Sequence, residues 1–280
     1  MSIFFAKPIE QNPWDPITNS WSALNINSAY PASNLMARDL SQVTISTTGT
    51  LSVQYLWNMG RAREFDVISV IGTNMTPRAT IRIDVSADGN TYTTIQNTRM
   101  FFPELSVDPG AAPYAVGTDP NMYAPGKPKS LFLSPTVLSW QYIRIILTDS
   151  NNPAGFLSVG RIFVGLTWKP KSSLQYGSSF SFFDTGTRDR TDQGALITMD
   201  GYSYYGASVK MDFISSNELY NQVFDFNIWR GSTREILACL DIETTSRLQK
   251  NTLYCNVSEG RQISAEQFEA WSQTWVLESY

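Results

Sequence analysis

Arg61-Ala-Arg-Glu-Phe65-Asp-Val-Ile-Ser-Val-Ile71-Gly-Thr-Asn74, followed by Ala79-Thr-Ile-Arg-Ile-Asp-Val85, Asp88-Gly89 and Tyr92-Thr-Thr-Ile95, decides the fold when set against the later stretch Tyr142-Ile-Arg-Ile-Ile-Leu147. β-Branched residues alternating with a period of two make each piece a strand, and the Asp-Gly step is a hairpin signal. Strands of this kind, spaced by turns and returning after a long excursion, predict a β-sandwich.

Composition bounds the rest. A chain of 280 residues can hold one large or two ordinary domains, each with its own core. Charged residues are only 16% and aromatics reach 13%, so the expected surface is poor in charge and rich in Tyr, Trp and Phe, as covered surfaces are. Plain all-β composition is the competing explanation, because strands favour aromatics in any case. The formal net charge is −4, with 21 basic and 25 acidic residues and no long basic run. That balance argues against nucleic acid as a partner. No window approaches 18 uninterrupted apolar residues, and Met1-Ser-Ile-Phe-Phe-Ala-Lys7 lacks the basic start and apolar length of a signal peptide. The expectation is a soluble chain made in a cytoplasm, with no membrane insertion.

Histidine is absent. Without it a Ser-His-Asp triad, a Cys-His pair and the usual catalytic zinc sites are excluded. Carboxylate chemistry, as in glycoside hydrolysis, stays open, with Asp84, Asp88, Glu104, Asp108, Asp119 and Asp149 as candidates. Asp88 in its turn and Asp149 at the head of Asp-Ser-Asn-Asn-Pro also read as ordinary loop formers. Cys239 and Cys255 sit in apolar, strand-like contexts and read as small buried hydrophobes, a cross-strand disulfide being the alternative. No Gly-rich phosphate motif opens a helix, so neither a nucleotide nor any other cofactor or metal is expected.

Along the chain, residues 1–27 carry Pro8, Pro13, Pro16, Trp14 and Trp21 with no sustained period, and read as an extended arm. Two tryptophans are costly to leave in water, so the arm is expected to dock on its own domain or a neighbouring subunit. Residues 28–168 form the sandwich, with an irregular insertion at 101–128 holding six prolines (Pro103, Pro109, Pro113, Pro120, Pro125 and Pro128). Its Phe101, Phe102, Tyr114 and Tyr123 are rings suited either to stacking on sugars or to burial between subunits. Residues 169–280 are again β-rich, interrupted by a helix over Ser215–Phe224 with Ser or Asn at its start, Glu218 in its first turn and Leu219, Val223 and Phe224 on one face.

Two resemblances give these regions a meaning. Phe65–Ile71, the Gly-Thr-Asn loop, the pair around Asp88-Gly89, Tyr-Ile-Arg-Ile and Val159-Gly-Arg-Ile-Phe-Val-Gly165, preceded by Ala29-Tyr-Pro-Ala-Ser-Asn-Leu35, together resemble the discoidin or galactose-binding-like domain. Strands, one helix, a Gly-Ser-Thr link at 231–233 and the terminal Trp271-Ser-Gln-Thr-Trp-Val-Leu-Glu278 resemble the C-terminal halves of tail proteins from long-tailed bacteriophages. The expected class is therefore all-β: a galactose-binding-like jelly-roll sandwich followed by a smaller tail-tube-like β-sandwich or barrel with one helix. The resemblances imply a distal tail or tail-tip/baseplate component of a virion. It would form a three-fold or six-fold ring of its own copies, touch tube, hub and tape-measure proteins, and turn the sandwich outward. Trp14, Trp21, Phe101, Phe102, Phe180, Phe182, Tyr202, Tyr204, Trp271 and Trp275 are the expected subunit contacts. The alternatives are a carbohydrate-binding receptor module, with Trp57, Tyr114 and Tyr123 stacking on a host-surface glycan, and a carboxylate-based cell-wall glycan hydrolase.

Overall fold

The computed structural model describes residues 2–11, 17, 19–76, 78–100, 129–171, 175–191, 194–201, 203–231, 233–243, 248–259, 262–267 and 270–280. The chain divides into two units, Met1–Lys169 with Ile236–Thr252, and Pro170–Glu235 with Leu253–Tyr280. Both are built almost wholly from antiparallel strands, as the all-β expectation requires.

Unit 1 contains β1 (Phe4–Pro8), β2 (Ser22–Leu24), β3 (Thr44–Ile45), β4 (Ser52–Thr73), β5 (Thr80–Ser86), β6 (Thr93–Arg99), β7 (Phe132–Thr148) and β8 (Ser158–Trp168). Two long strands organise it. The first half of β4 pairs with β2 and with the second half of β7, which pairs in turn with β5, and β5 with β6. The second half of β4 pairs with the first half of β7 and with β8. β4 and β7 thus pass from one sheet to the other, and the register break between Asn58 and Arg63 marks the bend. Gly60 sits in that break at φ +80°, where the Asn58 side chain accepts its N–H, a backbone angle that strongly favours glycine.

Period-two alternation places one row after another on the inner face. Val53, Leu147 and Ile81 lie abreast, then Tyr55, Ile145 and Ile83, then Trp57, Ile143 and Val85, all buried. They meet Phe65, Ile68, Val70, Ile162 and Val164 of the other sheet in a single core. Removing each such side chain from water contributes on the order of 1.5–3 kcal/mol. The second sheet is covered on its far side too, since Val67, Ser69, Ile71, Arg161 and Phe163 are all buried. That double covering is why Phe65–Ile71 reads as a nearly continuous apolar run.

The described part of residues 1–27 docks on its own unit, the first of the two expectations. β1 lies between β8 and a distant strand, β13 (Ile236–Cys239), with Phe5 opposite both Trp168 and Ala238. Ile3, Phe4, Phe5 and Ala6 are buried. The 3₁₀ turn Ile9–Gln11 follows, and its Glu10 pairs with the wholly buried Arg161, whose other terminal nitrogen donates to Leu35 O at 3.0 Å. The unit expected at 28–168 therefore includes the first residues of the chain and recruits Ile236–Thr252 as well, because a strand flanked on both sides satisfies its backbone whatever its distance in sequence.

Unit 2 is built around β12 (Ser203–Ser215), which follows β9 (Ser179–Asp184), β10 (Thr187–Arg190) and β11 (Leu196–Met199) in the chain. β14 (Thr252–Glu259), β15 (Ile263–Gln267) and β16 (Ala270–Ser279) close it, β16 pairing with β12, β14 and β15. Between β12 and β13 runs one continuous helix, made of α1 (Ser216–Glu218), a π-turn over Leu219–Val223 and α2 (Phe224–Arg230). Ser215 caps it by accepting the Glu218 N–H, and it stops at Gly231. The helix runs past the sequence expectation of Phe224. The wider π-turn shifts the phase, so that the buried side is Leu219, Val223, Phe226 and Arg230. Phe226 stacks on Trp275 with ring centres 5.4 Å apart, and Arg230 lies over the same indole at 5.2 Å. Cys239 and Cys255 are buried and form no disulfide.

Candidate functional site

Three of the aromatics singled out in the sequence, Trp21, Trp57 and Trp275, are buried in the structure. Trp57 is buried, stacks on Trp21 at 5.2 Å and donates its indole N–H to Asn19 O at 2.8 Å. It shares its parity in β4 with Val53 and Tyr55, so it faces the core and is not a sugar platform. Trp21 is likewise buried in its own unit, and so is Trp275; both leave the set of subunit contacts because their own units consume their surfaces. Trp271 is half-buried and its indole N–H reaches Ser216 Oγ at 3.3 Å. Trp14, Phe101, Phe102, Tyr114, Tyr123, Tyr202 and the insertion 101–128 lie outside the described residues.

The sandwich carries a polar cluster on the outer face of β5 and β7. Even-numbered positions point away from the core, which brings Arg82, Asp84 and Arg144 together. Asp84 is fully buried beneath them. Its Oδ2 accepts from Arg144 Nε at 3.0 Å and Nη2 at 2.8 Å, and its Oδ1 from Arg82 Nε at 2.8 Å and Thr94 Oγ1 at 2.7 Å. Burial pushes the carboxyl pKa up, but the bonds from Thr94, Arg82 and Arg144 and the charge of Arg82 outweigh it and hold the pKa below the ordinary value. Arg144 in turn lies 3.9 Å over the Tyr92 ring. Beside it the hairpin turns at Gly89, φ +77°, where an added Cβ would meet the Tyr142 ring at 3.1 Å. Asp88 holds the same hairpin: it accepts the backbone N–H groups of Thr91 and Asn90 and the Ser86 hydroxyl, which lower its pKa.

At a loop end of the sandwich, Asp149 accepts the Thr76 N–H at 2.7 Å, the Thr76 hydroxyl at 2.9 Å and an Asn152 amide proton at 3.3 Å. Asn74 bonds Ser158 N and Phe156 O. Asp84, Asp88 and Asp149 are thus acceptors that fix turns and arginines; Glu104, Asp108 and Asp119 lie outside the described residues. Among the described residues no three Cys, Asp or Glu converge to hold a metal ion.

Unit 2 presents a different surface. β9 pairs with β12 up to Asp184↔Ser203, and β10 pairs with β11 from Thr187↔Met199. The two pairs follow one another as a ribbon that begins where β12 leaves β16 at Gly206. Strands cross closely at the joint: a Cβ on Gly201 would fall 1.9 Å from Gly186 N, so only glycine fits. Every described residue of β10 and β11 is exposed. Large apolar groups lie along this ribbon: Phe182 is 74% exposed, Met199 68%, and Phe180, Leu196 and Ile197 about half. Phe183 stacks on Tyr204 at 5.0 Å and Phe182 on Tyr205 at 6.4 Å. On the helix, the side opposite the core carries Tyr220, Phe224 and Ile228 at four-residue spacing, all exposed, with Tyr220 and Phe224 stacked at 5.5 Å. The sequence marks Phe180 and Phe182 of this ribbon, both exposed; the helix stripe carries no signal there, because its member Ile228 lies beyond the expected helix end at Phe224.

Comparison with protein-family models finds no match, and comparison with curated proteins finds none. Among solved structures, the family 32 carbohydrate-binding module of Clostridium perfringens NanJ in complex with galactose is 15% identical, with a TM-score of 0.40, covering 58% of this chain and 98% of that one. A chitosan-binding module from a Paenibacillus sp. IK-5 chitosanase/glucanase is 16% identical, with a TM-score of 0.37 over 53% of this chain and 95% of that one. A Ruminococcus gnavus GH29 fucosidase in complex with fucose is 13% identical, with a TM-score of 0.40 over 56% of this chain. The chain spans 26% of the fucosidase chain.

Proposed function

We propose that the chain is a structural component of a bacteriophage tail, a distal tail or tail-tip/baseplate protein, which assembles with its own copies through unit 2 and offers the sandwich for contact with a partner or host surface. The observation that carries this reading is the contrast between the units. Unit 1 closes its core around Trp21 and Trp57. Unit 2 leaves Phe180, Phe182, Leu196, Ile197 and Met199 on a ribbon, and Tyr220, Phe224 and Ile228 on a helix, open to water. Uncovered apolar surface on this scale marks a site of association, and a permanent virion part has such contacts satisfied only in the assembly. Electron microscopy of phage particles with gold-labelled antibody to this chain tests the reading directly. Label at the tail tip is the expected result, and particles that carry the chain only in the head or not at all refute it.

A second reading concerns the sandwich alone, as a glycan-binding module of the kind its structural neighbours are named for. Its outer face suits that role, since Tyr92, Tyr142 and the half-exposed Arg82 combine rings with N–H donors. A glycan array probed with the full chain tests it. The full chain is needed because a fragment of residues 28–168 would lack β1 and β13, the strands beyond β8 in this unit. Retention of a sugar that is lost in Tyr92→Ala supports the reading, and an array without hits removes it.

A further inference from the structure

We infer that the ribbon of one copy docks on the outer helix face of a second copy, in a head-to-tail contact. The inference rests on the self-assembly reading and names the two surfaces that meet.

A two-stranded ribbon exposed on both faces is marginal in water by itself. Its β10–β11 part is in that position, with Thr187–Arg190 and Leu196–Met199 all exposed. The helix stripe of Tyr220, Phe224 and Ile228 is equally uncovered, so within one chain the two do not cover each other. They are also well separated along the strand path. Phe226, on the buried side of the helix, rests on Trp275, which lies opposite Val209 in β12. From Val209 to Leu196 is thirteen residues along the ribbon, roughly 40 Å at the usual strand rise.

Charge selects which ribbon face meets the helix. Cross-strand partners share a face, so Leu196 and Thr198 lie with Arg190 and Arg188, while Ile197 and Met199 lie with Asp189 and Thr187. The helix exposes one carboxylate, Asp225, its other acid Glu218 being buried. The arginine face therefore complements the stripe, with Leu196 against Ile228, a guanidinium to Asp225, and arginine stems and heads laid on the Tyr220 and Phe224 rings. The opposite face would bring Asp189 towards Asp225. A contact that uses two different surfaces of the same chain is heterologous, and it closes into a ring or runs on as a filament.

Two full-length variants, Leu196→Cys and Ile228→Cys, are mixed under mild oxidation; the native thiols are buried. The expected product is a disulfide between the two variants and little within either alone. A disulfide between two Leu196→Cys chains, or an oligomer by sedimentation with no mixed disulfide, overturns this contact and leaves self-assembly standing. A monomer by sedimentation overturns both. A charge swap supplies a second test: Asp225→Arg is expected to weaken association at least tenfold, and Arg188→Asp with Arg190→Asp in the same chain to restore it. Association unchanged in Asp225→Arg, or no restoration, overturns the assignment.

Discussion

Replacing Trp57 separates a core tryptophan from a sugar platform. The indole is buried, stacked on Trp21 at 5.2 Å and bonded to Asn19 O at 2.8 Å. Trp57→Ala removes the largest side chain of its row and leaves a cavity against Ile143 and Val85, which costs about 3–5 kcal/mol. Trp57→Phe keeps an aromatic ring on Trp21 and loses the N–H donor. Asn19 is exposed, so its carbonyl can turn to water, and the loss is about 1 kcal/mol for the bond plus a smaller packing term. Urea unfolding followed by far-ultraviolet circular dichroism reads both, with the same slope expected for each variant. A Trp57→Ala chain as stable as the parent would refute the core assignment. So would a loss of sugar retention in Trp57→Phe with unchanged stability.

Other outcomes follow from the ion pairs and the first strand. Asp84→Asn removes the acceptor shared by Arg82, Arg144 and Thr94 and is expected to lower stability by about 2–3 kcal/mol, less than a fully enclosed pair because both arginines reach water; unfolding curves at neutral pH check it. Because the folded pKa of Asp84 is depressed, its contribution is present above the unfolded carboxylate pKa and lost as pH falls through the folded one. The parent should therefore lose stability on acidification more steeply than Asp84→Asn, and parallel pH profiles would contradict the assignment. Glu10→Gln removes the carboxylate charge paired with the buried Arg161 and should cost about 3 kcal/mol by the same assay. Deleting residues 2–8 exposes the edges of β8 and β13 and should make unit 1 sensitive to protease in limited digestion, where the parent resists.

The sequence could be read where one strand face is dry and the other wet. Ile81, Ile83, Val85 and Ile143, Ile145, Leu147 alternate cleanly because their sheet has a solvated outer face, and the Asp88-Gly89 turn follows from its own chemistry. The same parity rule already places Trp57 inside, with Val53 and Tyr55. β1 was not legible: Phe4, Phe5 and Ala6 are buried in succession, a central strand shows no alternation, and Pro8 and its neighbours resemble a loop. β13 was recognisable as a strand from Ile236-Leu-Ala-Cys, but a short apolar run says nothing of which sheet it joins. The helix ran on past Phe224 because a π-turn moved its inward positions off the expected spacing. The exposed helix face stayed hidden for a related reason, since an apolar residue at Ile228 looks the same in sequence whether it faces a core or water, whereas Phe182, expected at the surface, is indeed exposed.

Unit 2 is expected to meet further copies of itself. Sedimentation equilibrium of the full chain, over a range of concentrations up to tens of micromolar, measures that directly. The expected result is a closed species of three or six copies, weakened by Ile228→Asp. A monomer at every concentration would contradict it.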